Sequence, residues 1–114
     1  MATTEAGHGA VRVVTDSGFE AEVLRADQPV LVEFTADWCP PCRTLAPVLA
    51  AIAEEQRDRL KVVAIDVDEN PQTTLRYGVL GMPTLMVFWD GEPVRSIVGA
   101  RSKSRLMQDI ADVI

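Results

Sequence analysis

The feature that most constrains this 114-residue chain is a pair of short, nearly all-apolar runs separated by a stretch of helical periodicity. The runs are Val30-Leu-Val-Glu-Phe34 and Lys61-Val-Val-Ala-Ile-Asp-Val67. A strand wetted on one face alternates apolar with polar residues. Runs this continuous are buried on both faces, as in parallel sheets covered by helices. Between them, from Pro41 to about Arg57, Leu45, Val48, Leu49 and Ile52 fall on one stripe. A helix joining two such strands makes a βαβ crossover, which forces the strands parallel. Pro47 interrupts the stripe without ending it, so a kink is expected there.

The flanking sequence extends this unit. Val11-Arg-Val-Val14 reads as a short strand, and Ser17-Gly-Phe-Glu20 has the spacing of a capping box opening a helix to about Ala26. Asn70 is expected to cap, and Pro71 to open, a short helix ending at Gly78. Leu85-Met-Val-Phe-Trp89 and Val94-Arg-Ser-Ile-Val98 flank Asp90-Gly91, a hairpin signal. A last helix starts at Ser102 and buries Leu106, Ile110 and Val113. The order βαβαβαββα predicts an α/β fold: a central mixed sheet of about five strands flanked by about four helices. Residues 11–114 form a single domain of ordinary size, behind a loose segment 1–10 that carries the sole histidine, His8.

Seventeen acidic residues against eleven basic ones give a net charge of −6. That sign disfavours nucleic acid or an anionic membrane as partner. The charge is spread along the chain and serves solubility. The first residues lack the basic and apolar regions of a secretory signal, and no apolar run is long enough to span a bilayer. The expected compartment is therefore the cytosol, where stable disulfides are rare.

The chain has two cysteines, Cys39 and Cys42, within Glu33-Phe-Thr-Ala-Asp-Trp-Cys-Pro-Pro-Cys-Arg43. Cys39 follows a buried strand and precedes a helix, the place where open parallel sheets carry their sites. Zinc would need three or four ligands, and two thiols plus a distant histidine do not supply them. A staple closing a four-residue loop would contribute only about 2 kcal/mol. A dithiol switch fits better. Cα atoms at i and i+3 in a first helical turn lie about 5–6 Å apart, within reach of a disulfide. At the helix N-terminus Cys39 meets the positive end of the dipole and the backbone N–H groups of Cys42 and Arg43, which favours its thiolate; Cys42, one turn in, is shielded. The gain in rate is limited. A pKa near 7 raises the thiolate fraction about 16-fold at neutral pH but lowers intrinsic nucleophilicity about five- to sixfold, a net of about threefold. Docking of the target must supply the rest.

At these residues the chain resembles the thioredoxins, and the likeness runs from about Val11 to Ile114. It is carried by Val32-Glu-Phe-Thr-Ala-Asp-Trp-Cys-Pro-Pro-Cys42, Asp66-Val-Asp-Glu-Asn-Pro71, Tyr77-Gly-Val-Leu-Gly-Met-Pro-Thr84, Asp90-Gly-Glu92 and Val98-Gly-Ala100, in order and at compact spacing. The resemblance implies a thioredoxin fold and a protein-disulfide reductase in which Cys39 attacks a foreign disulfide and Cys42 resolves the intermediate. It implies no bound cofactor or metal, electrons from NADPH through a flavoprotein thioredoxin reductase, oxidised proteins as substrates, and a monomer. It also implies a cis bond at Met82-Pro83 facing the cysteines; the residues alone would give a trans proline opening the strand at Thr84, since few X–Pro bonds are cis. The implied substrate groove is Trp38, Met82, Pro83 and Gly99, although Trp38 could instead pack on its own domain.

Three positions depart from the family pattern. Pro40 stands where a glycine is usual, so Pro40 and Pro41 together stiffen the turn, and the helix is expected to start at Pro41. Glu33 replaces the usual aspartate of the second strand. Burial would raise its pKa toward that of a proton acceptor for Cys42; an exposed Glu33 after a bulge is the alternative. Ala64 replaces a lysine that often accompanies that acid, which leaves Glu33 easier to protonate. The Trp-Cys-Pro-Pro-Cys sequence also resembles exported reductases of cytochrome c maturation, which carry a leader and an insertion not seen here. A non-catalytic interaction module is the rival from another class.

Overall fold

The computed structural model describes residues 10–114. The expectation of a loose segment over residues 1–10, His8 included, falls outside them except at Ala10. Five strands form one mixed sheet: β1 (Arg12–Val13), β2 (Val30–Thr35), β3 (Lys61–Asp66), β4 (Thr84–Trp89) and β5 (Glu92–Val98), in the order β1-β3-β2-β4-β5. The helices are α1 (Pro40–Glu55), α2 (Pro71–Arg76) and α3 (Lys103–Ile110), with a π-helical turn over Glu20–Leu24. β2 lies at the centre, parallel to β3 and antiparallel to β4. Its residues 30–34 are all buried, as their continuous apolar character requires.

The strand period of two divides β2 between two cores. Leu31 packs with α1 and α3 through Leu49, Ile52, Leu106 and Ile110. Val30, Val32 and Phe34 pack on the opposite face with Phe19, Val63 and Phe88. There Phe19, Tyr77 and Phe88 meet at ring-centroid distances of 5.1–5.7 Å, two of the three contacts edge-on. Glu33 follows the parity of Leu31 and is thereby committed to the α1 side. The β4–β5 turn has positive φ at both central residues, Asp90 (55°) and Gly91 (82°), the geometry that matches the twist of a two-residue hairpin. A register shift follows at Val87/Phe88, where Pro93 stands opposite Phe88 on the edge strand. An edge strand tolerates a residue with no N–H to give.

Several expectations need correction. The helix expected over residues 17–26 has no capping box. Ser17 lies in a 3-10 turn, Asp16–Gly18, with its hydroxyl 3.2 Å from that of Thr15, and the helical turn that follows is π-type. Asn70 occupies the N-cap of α2, but its side chain does not cap. The cap comes from 56 residues upstream: the Asp16 carboxylate accepts from Gln72 N (3.1 Å) and Thr73 N (2.9 Å). Asn70 instead accepts from Asp16 N at 2.8 Å and donates to Asp66 O at 2.9 Å, tying the two segments together. α1 begins one residue early, at Pro40, and continues through Pro47 to Glu55. A proline fixes φ near the helical value, so Pro40 suits the first helical position even with another proline behind it.

The last helix, expected to start at Ser102, starts at Lys103, and Ser102 is its N-cap, the Oγ accepting from Arg105 N at 3.2 Å. Replacing Ser102 by alanine is expected to cost about 1 kcal/mol. A fall in urea midpoint with unchanged slope would register it.

Candidate active site

The site forms where β2 hands the chain to α1. Cys39 is the N-cap of α1, in an extended conformation (φ −106°, ψ 100°), as expected for a residue ahead of a proline. Pro40 and Pro41 fill the first two helical positions, whose N–H groups have no intrahelical acceptor in any helix, so nothing is lost. The first N–H inside the helix, that of Cys42, reaches the sulfur of Cys39 at 3.2 Å and its carbonyl at 3.1 Å. Arg43 N–H was expected at the sulfur too. It goes to the Cys39 carbonyl at 3.3 Å, because the regular i to i+4 bond already claims it.

Cys39 and Cys42 are joined in a disulfide with a Cα separation of 5.3 Å, inside the range expected from their spacing. Both residues are buried, with 2% and 4% of their surface exposed. They pack with Ala36, and Met82 and Val67 lie against them. The Met82–Pro83 bond is cis, as the resemblance implies. Pro83 O accepts from Gly99 N at 2.8 Å, which brings the head of β4 and the end of β5 together beside the cysteines. Met82 thus lies against the disulfide, and the Pro83–Gly99 bond joins a second, sequence-distant segment to it.

Trp38 is 63% exposed, so packing within its own domain does not account for it. Its indole Nε1 donates to Asp68 Oδ2 at 2.7 Å. Asp68 is held in turn by Asp66, whose Oδ1 accepts from the backbone N–H of Asp68 (2.8 Å) and Glu69 (3.2 Å). Sequence reasoning missed Asp68 as part of the site. The signal was present: Asp66 ends β3 and Val67-Asp68 directly follow it, and β3 runs parallel to and beside β2, so both strands deliver their carboxyl ends to the same edge.

Glu33 is buried (5% exposed), and the pairing of β2 with β3 and β4 is unbroken through it, so it does not sit exposed after a bulge. It faces a cleft of about 210 Å³ shared with Cys42, Thr35, Arg43, Ala46 and Ala64. Ala64 is its direct cross-strand neighbour on β3. Glu33 Oε2 has no hydrogen-bond partner among the described residues, and burial pushes the carboxyl pKa up to about 7. Among the described residues no group of three His, Cys, Asp or Glu could hold a metal ion.

A cysteine pair closed at the first turn of a helix, with a buried carboxyl behind it, can take up and release two electrons in a single bond. This arrangement defines a thiol-disulfide oxidoreductase. The profile of the thioredoxin family matches residues 10–112. The chain is 45% identical to a thioredoxin of Mycobacterium tuberculosis over 111 residues, covering 97% of this chain and 96% of that one. It is 52% identical to a thioredoxin of Pseudomonas aeruginosa over 93 residues, 82% of this chain and 86% of the other. It is 46% identical to the bifunctional thioredoxin reductase/thioredoxin of Mycobacterium leprae over 114 residues, 99% of this chain but only 25% of that longer protein. This chain belongs to the thioredoxin family.

Proposed function

We propose that the protein reduces disulfides in other proteins, with Cys39 as nucleophile and Cys42 as resolving thiol. The Cys39 thiolate attacks one sulfur of a target disulfide, and the other target sulfur leaves and takes up a proton. Cys42 then gives its proton to the Glu33 carboxylate, and its thiolate attacks Cys39 Sγ. The second target sulfur leaves, completing one target dithiol and one Cys39–Cys42 disulfide. Glu33 returns its proton through the cleft. The observation that carries this division of labour is the asymmetry of the pair: the Cys42 N–H points at the sulfur of Cys39, while Cys42 shares its cleft with Glu33.

Trp38, Met82, Pro83 and Gly99 serve in this reading as the groove for an extended target segment. Pro40 and Pro41 hold the turn between the cysteines. The oxidised pair is recharged with electrons from NADPH by a thioredoxin reductase; the fusion of both activities in the name of the Mycobacterium leprae relative supports this pairing. The protein acts as a monomer in the cytosol, where such a reductase keeps dithiols reduced. No helix among the described residues is long and apolar enough to cross a membrane.

The test is insulin reduction with NADPH and a thioredoxin reductase, alongside a Cys42→Ser variant. The wild-type protein is expected to turn over. The variant should stop after one attack and accumulate a target disulfide-linked through Cys39. Equal binding of partners with both thiols alkylated, and no turnover, would replace the reductase reading with a purely adhesive one.

A further inference from the structure

We infer that Arg101 is a specificity-determining residue that favours target segments bearing a carboxylate on the Gly99 side of the groove. The inference rests on the groove proposed above. Gly99 has φ +99° and no side chain, and a Cβ built on it would lie 3.4 Å from Arg101 Nη1. The guanidinium is therefore the first charged group beyond the bare backbone at the groove's end. It is held in place: Nη1 donates to Val98 O (3.3 Å) and Ala100 O (3.4 Å), which folds the side chain back against the end of β5.

Holding the side chain in place leaves donors over. The Nε is buried and turned toward Asp109, out of reach of a docked segment, but the side chain as a whole keeps 30% of its surface exposed. The nearest carboxylate is Asp109, with Oδ2 3.5 Å from Arg101 Nε, but its Oδ1 also takes Arg105 Nε at 3.2 Å. One carboxylate thus serves two guanidinium groups, and a positive charge remains. It stands at the Gly99 end of the groove, in a chain whose net charge is −6. The other wall carries the opposite sign, since Trp38 is tethered to the Asp68 carboxylate. A groove with a cation at one end and an anion at the other gives a bound strand a preferred charge order. A planar, immobilised guanidinium is suited to a carboxylate because its donors are already aimed.

The experiment uses synthetic disulfide peptides that differ at one residue, Glu, Gln or Lys, scanned along both flanks of the reacting cysteine. The second-order rate of the reduced protein is measured for each peptide. At a flanking position on one side, Glu is expected to exceed Lys by about three- to fivefold, the scale of a partly exposed ion pair. The ratio should fall toward one in Arg101→Gln and in high salt, and Arg101→Lys should retain part of it. Because the readout is a ratio within each variant, a general loss of activity cancels. A Glu-to-Lys ratio that is the same in Arg101→Gln and wild type, or flat along the whole scan, overturns the role of Arg101 while leaving the reductase intact. Failure of wild type to reduce even the Gln peptides overturns the groove and its specificity together.

Discussion

Replacing Cys39 by serine is expected to abolish turnover, lowering the rate of insulin reduction by on the order of 10³-fold or more, the scale on which loss of a covalent nucleophile registers. The reason is local. Cys39 is the only sulfur that accepts a backbone N–H at the opening of α1, where unsatisfied donors and the helix dipole stabilise negative charge. A serine hydroxyl stays protonated there and is a far weaker nucleophile. The variant keeps Cys42, yet Cys42 lies inside α1 beside the Glu33 cleft, with no backbone N–H directed at its sulfur to favour the thiolate, and should not replace its partner. No disulfide-linked target should appear, in contrast to Cys42→Ser. A Cys39→Ser protein that trapped targets through Cys42 would reverse the assigned roles.

Glu33→Gln should separate the two consequences of a buried acid. The carboxyl pKa rises from 4.5 to about 7 on folding because burial disfavours the charged form. Between these values the folded state holds a proton that the unfolded state has released. Stability is therefore highest below pH 4.5 as far as Glu33 is concerned, and declines as pH rises through about 7. Over that window the loss amounts to about 3 kcal/mol. Glutamine does not titrate, so the stability difference, Glu33→Gln minus wild type, should grow by that amount between pH 4.5 and pH 8 in the oxidised protein. A shift on the order of 10 °C in midpoint would accompany it. A pH-independent difference would mean that Glu33 reaches water in the folded state.

Activity should move the other way. Only ionised Glu33 can accept the proton of Cys42, so wild-type resolution should accelerate as pH rises through about 7. Glu33→Gln should be slower above pH 7, by on the order of 10²-fold, and lack that step. The same desolvation that destabilises the charged carboxylate tunes it to neutral pH, a local cost of the kind functional sites carry. Identical pH profiles for the two proteins between pH 6 and 8 would remove Glu33 from proton transfer.

Elements governed by local chemistry were legible in the chain. The apolar runs of β2 and β3, the Asp90-Gly91 turn and the start of the last helix near Ser102 each depend on neighbours a few residues away. The Cys39–Cys42 spacing is of the same kind, since a first helical turn sets the distance between i and i+3 whatever surrounds it. The failures were elsewhere. Asn70 has the composition of a cap and the position of one, but Asp16 arrives from another part of the fold and takes the donors. Ser17 and Glu20 have capping-box spacing, yet the chain turns as 3-10 and then π. Local propensity is a weak preference of under a kilocalorie per residue, so tertiary contacts decide such cases.

By itself the sequence determined the layer architecture and the spacing that lets Cys39 and Cys42 close a bond, while it left the burial of Glu33 open. The first two follow from chain geometry over a few residues: strand alternation, helical rise, and the crossover that a parallel pair demands. Only the tertiary structure decided that Asp68 tethers Trp38, that Asp16 caps α2, and that Gly99 stands beside Pro83 with Arg101 at its flank. Those contacts join residues with no regular spacing along the chain. They come into being when β2, β3 and β4 settle side by side and deliver their loops to one edge of the sheet.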